Sequence, residues 1–93
     1  MTYIRKVDAN QKQIVMELRA RFYSVRQTHI IGKGFPDIVI GKNGHNLFVE
    51  IKVPGERLTP DEREFFDTWN GTAIIGTSAE EIHPTFCDLY GNE

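Results

Sequence analysis

One hairpin constrains this sequence more than any other feature. Two runs of strand-forming residues, Phe35-Pro36-Asp37-Ile38-Val39-Ile40 and Asn46 to Val53, flank Gly41-Lys42-Asn43-Gly44-His45. An Asn-Gly pair between such runs is the strongest short-range signal for reversing the chain. Pro36 sits at the start of its strand, where a missing N–H is tolerated. Successive strand side chains alternate between faces. Leu47, Val49, Ile51 and Val53 therefore form an apolar core face, while Phe48, Glu50 and Lys52 point the other way. The first strand brings Asp37 towards Glu50 from across the turn.

Two carboxylates that meet on a sheet repel each other unless something compensates them. A divalent cation does so, and Mg²⁺ takes one or two carboxylates together with waters and phosphate oxygens. Asp37 and Glu50 are thus the candidate metal ligands, with the backbone carbonyl of Ile51 as a third oxygen. A metal held there can polarise a phosphodiester and acidify a bound water. Lys52 can orient or deprotonate that water, or stabilise the negative charge that develops. An isolated Glu-X-Lys is more often the pattern of a surface strand with a salt bridge, so the surrounding elements carry much of the argument.

Asp8-Ala9-Asn10-Gln11 has the form of a capping box, and Ile14, Val15, Leu18 and Phe22 recur at helical spacing, predicting a helix at about 9–22. Residues 23–30 are rich in strand formers and predict a strand, followed by a flexible Gly32-Lys33-Gly34 break. Thr59-Pro60-Asp61-Glu62 combines an N-cap, a proline at the first helical position and a glutamate at the third. Phe65, Phe66 and Trp69 supply the core face of that helix, and Asn70-Gly71 ends it. Thr72 to Thr77 is a last strand. Ser78-Ala79-Glu80-Glu81 starts a further helix that Pro84 is expected to keep short. The order α-β-β-β-α-β predicts an α/β fold with a mixed central sheet flanked by helices.

At 93 residues the chain is expected to form one domain, residues 1–93, with a modest core. Its 40% hydrophobic and 26% charged residues are ordinary for a soluble globular protein. No apolar run approaches the roughly 20 residues of a membrane span, and the N-terminus lacks the apolar stretch of a signal peptide. A single cysteine, Cys87, forms no internal disulfide and fits a reducing cytoplasm. The formal net charge of −2 argues against a protein that coats nucleic acid non-specifically. It leaves a nuclease open, because metal-holding carboxylates count as negative in the tally. Arg5, Lys6, Lys33, Lys42, Lys52 and Arg57 are candidates for phosphate contacts if the fold gathers them.

Gly-Lys-Gly-Phe-Pro-Asp (32–37), then Glu50-Ile51-Lys52, then Leu58-Thr59-Pro60-Asp61-Glu62 resembles the PD-(D/E)XK nuclease superfamily. The likeness is closest to the stand-alone VRR-NUC domains of phages and bacteria, which are similar to archaeal-type Holliday junction resolvases. It runs from about residue 8 to 82. The resemblance implies a restriction-endonuclease-like fold and a Mg²⁺ or Mn²⁺ cofactor. It also implies a DNA substrate, with branched or four-way-junction DNA as a candidate, and a homodimer in a bacterial or phage-infected cytoplasm.

The superfamily usually adds a polar residue, often Glu, from the first helix. Helical phase places Gln11 near the centre of the Ile14-Leu18-Phe22 stripe and Glu17 to one side of it. Gln11 is therefore the candidate for a supporting or substrate contact, and Glu17 reads as a solvated residue. In the second helix Glu62 shares the inner face with Leu58, Phe65 and Trp69, and is a candidate partner for Lys52 or a metal-bound water. Lys33, Arg57 and Arg63 are candidate DNA contacts. His29, His45 and His83 share no metal-ligand spacing, and Cys87 reads as packing. Two rival readings remain: a non-catalytic nucleic-acid-binding module that keeps the fold, and a structural or assembly subunit.

Overall fold

The computed structural model describes residues 6–91. The elements follow as α1 (Lys6–Ala20), β1 (Ser24–Gln27), a single 3-10 turn (His29–Ile31), β2 (Ile38–Lys42), β3 (His45–Ile51), α2 (Pro60–Thr68), β4 (Ala73–Gly76) and α3 (Ala79–Tyr90). The four strands form one sheet in the order β1-β2-β3-β4. The first three pair antiparallel, and β4 runs parallel to β3, so the sheet is mixed. The α/β class and the mixed, helix-flanked sheet agree with the sequence reading, with α3 as a full additional helix.

The hairpin register puts Ile38 opposite Val49 and Ile40 opposite Leu47. These four are buried with Ile51, Val25 and Tyr23 beneath Ile14, Val15 and Leu18 of α1 and Ala79, Ile82 and Phe86 of α3. Burying one such side chain contributes roughly 1.5–3 kcal/mol, so this face supplies most of the cohesion. On the opposite face α2 seats Phe65 in an aromatic cluster with Phe35, Phe48 and Trp69. Trp69 was expected in the core with Phe65 and Phe66. It lies instead at the rim of the cluster, 42% exposed, and Phe66 is half-buried.

Several boundaries depart from the sequence expectation. The chain is already helical at Lys6, so Asp8 and Gln11 lie inside α1 and do not form its starting box. At the other end α1 stops at Ala20. Phe22 N–H donates to the Arg19 carbonyl and Tyr23 N–H to the Leu18 carbonyl, which closes a Schellman motif with Phe22 in the left-handed region at φ 71°. Glycine is usual at that position, so the sequence shows no stop. β1 ends at Gln27, because Pro36, which would face His29, has no N–H to continue the ladder. Phe35 to Asp37 accordingly lies outside β2.

The last departure is α3. Pro84 sits inside it without ending it. Its ring is exposed and one backbone bond is lost, at a cost of about 3 kcal/mol. Burial of Ala79 and Ile82 before it and Phe86 after it outweighs that cost. Ser78 caps the helix by accepting from Glu81 N–H at 3.1 Å.

The Phe22 side chain is 86% exposed, so its left-handed backbone is strain without compensating packing. Phe22→Gly should stabilise the protein by about 1 kcal/mol, a rise of roughly 4–8 °C in melting temperature for a chain of this size. A thermal unfolding curve with an unchanged or lower midpoint would contradict the account.

Candidate active site

The site forms where β2 begins and β3 ends. Ile38 pairs with Val49, so Asp37, one residue before β2, lies opposite Glu50. The Asp37 carboxylate then takes the place of a backbone rung, its Oδ2 accepting from Ile51 N–H at 2.8 Å. On the other side of β3, Lys52 N–H donates to the Gly76 carbonyl at 3.1 Å. The Asp37 main chain is held too. Its carbonyl accepts from Thr28 and His29 N–H at 2.8 and 3.3 Å, and Thr28 Oγ1 donates to the Pro36 carbonyl at 2.8 Å.

Glu50 and Lys52 share the face opposite the core, as strand alternation required, yet both are buried, with 2% and 5% exposure. Lys52 Nζ donates to Glu62 Oε1 at 2.7 Å and lies 3.6 Å from Glu50 Oε2 and 3.7 Å from Glu56 Oε2. Glu62 Oε1 also accepts from Thr59 N–H, and Thr59 Oγ1 accepts from Glu62 N–H, so the capping box of α2 and the lysine clamp share one carboxylate. Glu50 Oε1 is buried with no hydrogen-bond partner.

The electrostatics follow from this crowding. Burial, the facing Asp37 carboxylate and Glu62 push the Glu50 carboxyl up to about 9. Burial also raises Asp37, although the Ile51 N–H and Lys52 oppose it. Burial acts to lower the Lys52 ammonium, but Glu62, Glu50 and Glu56 outweigh it, and Lys52 is held above its ordinary range. Glu62 is lowered, because the Lys52 and Thr59 hydrogen bonds overcome its own desolvation.

An orphaned buried carboxylate oxygen beside a second carboxylate fits a hard divalent cation. The cation would supply the missing partner and the opposite charge together. Among the described residues no group of three or more His, Cys, Asp or Glu side chains forms a closed metal cage. A two-carboxylate set that leaves positions for water and phosphate is the arrangement Mg²⁺ or Mn²⁺ takes.

Of the residues singled out from sequence, Asp37, Glu50, Ile51, Lys52 and Glu62 come together. Ile51 contributes its N–H, which fixes Asp37. Gln11 is half-buried but makes no hydrogen bond to Asp37, Glu50 or Lys52. From α1 it is Asn10 that reaches this end of the sheet, donating to the Thr77 carbonyl at 3.3 Å. Glu17 is half-buried and accepts from the Gln13 amide. Lys33, Arg57 and Arg63 are exposed. His83 accepts or donates at Tyr23 OH and lies near Cys87, while His45 stacks on Tyr90.

Glu56 was not anticipated. Val53-Pro54-Gly55-Glu56 is a turn closed by Glu56 N–H to the Val53 carbonyl at 3.0 Å, with Gly55 at φ 88°. Pro-Gly at its two central positions is the signature of a type II turn. That signal shows that Glu56 folds back towards Lys52.

The sign of the pH dependence follows from Glu50. Between the ordinary carboxylate range and about 9 the folded chain holds a proton that the unfolded chain has released. Stability therefore falls as pH rises through that window and levels off above it. The melting temperature of the metal-free protein should fall from pH 5 to pH 9. Glu50→Gln should flatten the fall and raise the midpoint at pH 9 by about 5 °C or more. Parallel curves for the two proteins would contradict the assignment.

Comparison with known proteins bears on the fold. No family model and no curated protein sequence matches the chain. A solved structure described as a VRR_NUC domain is similar at a TM-score of 0.66 and 22% identity, over 94% of this chain and 99% of that one. The four-stranded mixed sheet with its three helices is thus the fold of a VRR_NUC domain, the one the sequence resemblance implied.

Proposed function

We propose that the protein is a Mg²⁺- or Mn²⁺-dependent endonuclease that hydrolyses DNA phosphodiester bonds, with branched DNA such as four-way junctions as the candidate substrate. The observation that carries the reading is the buried Glu50 carboxylate, one oxygen unpartnered, facing the half-buried Asp37 and set against a clamped lysine. Similarity to a VRR_NUC domain supports it at the level of fold.

Asp37 and Glu50 would hold the cation. A cation held there would supply Lewis-acid chemistry towards the phosphate and a bound water. Every remaining feature belongs to the chain. The Ile51 N–H fixes the direction of the Asp37 carboxylate. Lys52 is held protonated through neutral pH by Glu62 and Glu56, which makes it a stabiliser of negative charge on the phosphate rather than a base. Glu62 is a positioning residue. By drawing Lys52 to 2.7 Å it leaves Glu50 at the longer 3.6 Å and freer to bind a cation. In a homodimer two such sites could address opposite strands, the requirement of a branched substrate; that step is by analogy with the resembled family.

The test is nicking of labelled duplex, flap and four-way-junction DNA with Mg²⁺, with Mn²⁺ and with chelator. Wild type should cut only with metal, and Asp37→Asn or Glu50→Gln should lower the rate about a hundredfold or more. Equal cutting by wild type and Asp37→Asn, or no cutting of any substrate, overturns the reading in favour of a binding module or assembly subunit. Glu62→Gln retains an acceptor for the Thr59 cap but removes the nearest counter-charge of the buried Lys52, so its melting temperature should fall. It should weaken Mn²⁺ binding in calorimetry by about tenfold, because Lys52 then turns to Glu50.

A further inference from the structure

We infer that Ile30 and Ile31 form an apolar wedge that enters the stack of bound DNA beside the metal site. This inference rests on the nuclease reading and extends it to how the substrate is held.

Both side chains stand in water, Ile30 86% and Ile31 61% exposed. Among the described residues Phe22 is as exposed as Ile30, but it lies before the other end of β1, across from the hairpin turn and away from Asp37. The 3-10 turn that carries the isoleucines is anchored at both ends to the candidate active site. At its start Thr28 and His29 donate to the Asp37 carbonyl, and Thr28 Oγ1 donates to Pro36. At its end Gly32, Lys33 and Gly34 follow one another in the left-handed region, at φ 85°, 54° and 78°. Gly34 is pressed so closely on the start of α2 that a Cβ there would overlap the Asp61 carbonyl and the Glu62 N–H. The prong is thus braced between the residue that bears one carboxylate and the residue that clamps Lys52.

The charge around it selects the partner. From β1 through the prong, residues 24 to 36, the chain has Arg26 and Lys33 and no acid. On the α2 side of the prong Lys33 shares a groove with Asp61 and Glu64, which leaves Arg26 and His29 as the basic flank turned to solvent. Arg26, His29 and Lys33 are exposed on and beside the prong. Isoleucines tipped with basic flanks match a polyanion that has apolar surface between its charges. Stacked bases behind a phosphate backbone are that surface, and apolar side chains that part a base step are a general means of bending DNA. Parting a step next to the candidate metal carboxylates would kink the duplex and draw the phosphate of that step towards them.

The test uses the full chain with Asp37→Asn as background, in EDTA, so that binding is read without cutting. Permanganate, which oxidises unstacked thymines, maps distortion on a thymine-rich duplex and on a four-way junction of the same sequence. The Asp37→Asn protein should create new reactive thymines. Adding Ile30→Ser and Ile31→Ser should abolish them and weaken binding by about tenfold, with the melting temperature unchanged because both residues are exposed. Lys33→Ala should instead weaken binding while leaving the footprint and reducing the salt dependence. Unaltered footprint and affinity in the double serine variant overturn the inference. So does a loss of dimer in sedimentation with the footprint retained, which would assign the isoleucines to a second copy. Neither result bears on cutting, which the wild type reports separately.

Discussion

The hydrogen bond from the Ile51 amide to the Asp37 carboxylate sets the rest of the site in place. An antiparallel pair normally satisfies such an amide with a backbone carbonyl, but the β2 ladder stops at Ile38. A side chain has taken over the rung. The same atom that finishes the sheet is therefore an acid held at the sheet's end, facing Glu50. Because β3 runs to Ile51 and the next residue, Lys52, has its own amide secured by Gly76, the chain delivers three functional groups within three residues, at fixed spacing and without a flexible loop. Rigid placement of this kind is what a site needs when distances of a few tenths of an ångström matter.

Opposing energies share the two faces of the sheet. One face is uniformly apolar and lies under α1 and α3. The other buries Glu50 and Lys52, an unfavourable choice for stability alone, since desolvating charge costs more than a nearby partner returns unless geometry and hydrogen bonding are good. The aromatic cluster of Phe35, Phe48, Phe65 and Trp69 screens that end from water and holds α2 against it. Cohesion generated on the first face thus sustains strain on the second, the usual division in a chain small enough to have little stability to spare.

The hairpin was legible because two independent signals agree there: a period of two in Leu47, Val49 and Ile51, and Asn43-Gly44 between the strands. Glu62 was legible for a similar reason, since Thr59 and Pro60 fix where α2 starts and hence which way its third residue faces. Where a single signal stood alone, the structure departed from it. Phe22 continues the apolar stripe of α1 but occupies the position after the helix has ended, as no glycine marks the stop. Pro84 signals a break that packing overrides. Gln11 shows the limit of helical phase, which gives the direction around an axis but not which part of the sheet a side chain meets; Asn10 reaches the sheet's end, at the Thr77 carbonyl rather than at the carboxylates. Glu56 depends on a turn rather than a periodicity, and only the turn's own residues reveal it.

The Glu62 carboxylate has a double duty, capping α2 through the Thr59 amide and gripping Lys52 through the same oxygen. Position 62 is consequently not free to drift with either neighbour alone. A sequence change that improved the cap at the expense of charge would loosen the lysine, and one that tuned the lysine with a shorter acid would fray the helix. Thermodynamic reciprocity extends this further. If drawing Lys52 towards a ligand alters the hold of Glu62 on the first turn of α2, a change in that turn alters the ligand's hold by the same free energy. The helix and the ligand site are in that sense one cooperative unit, joined through a single oxygen atom.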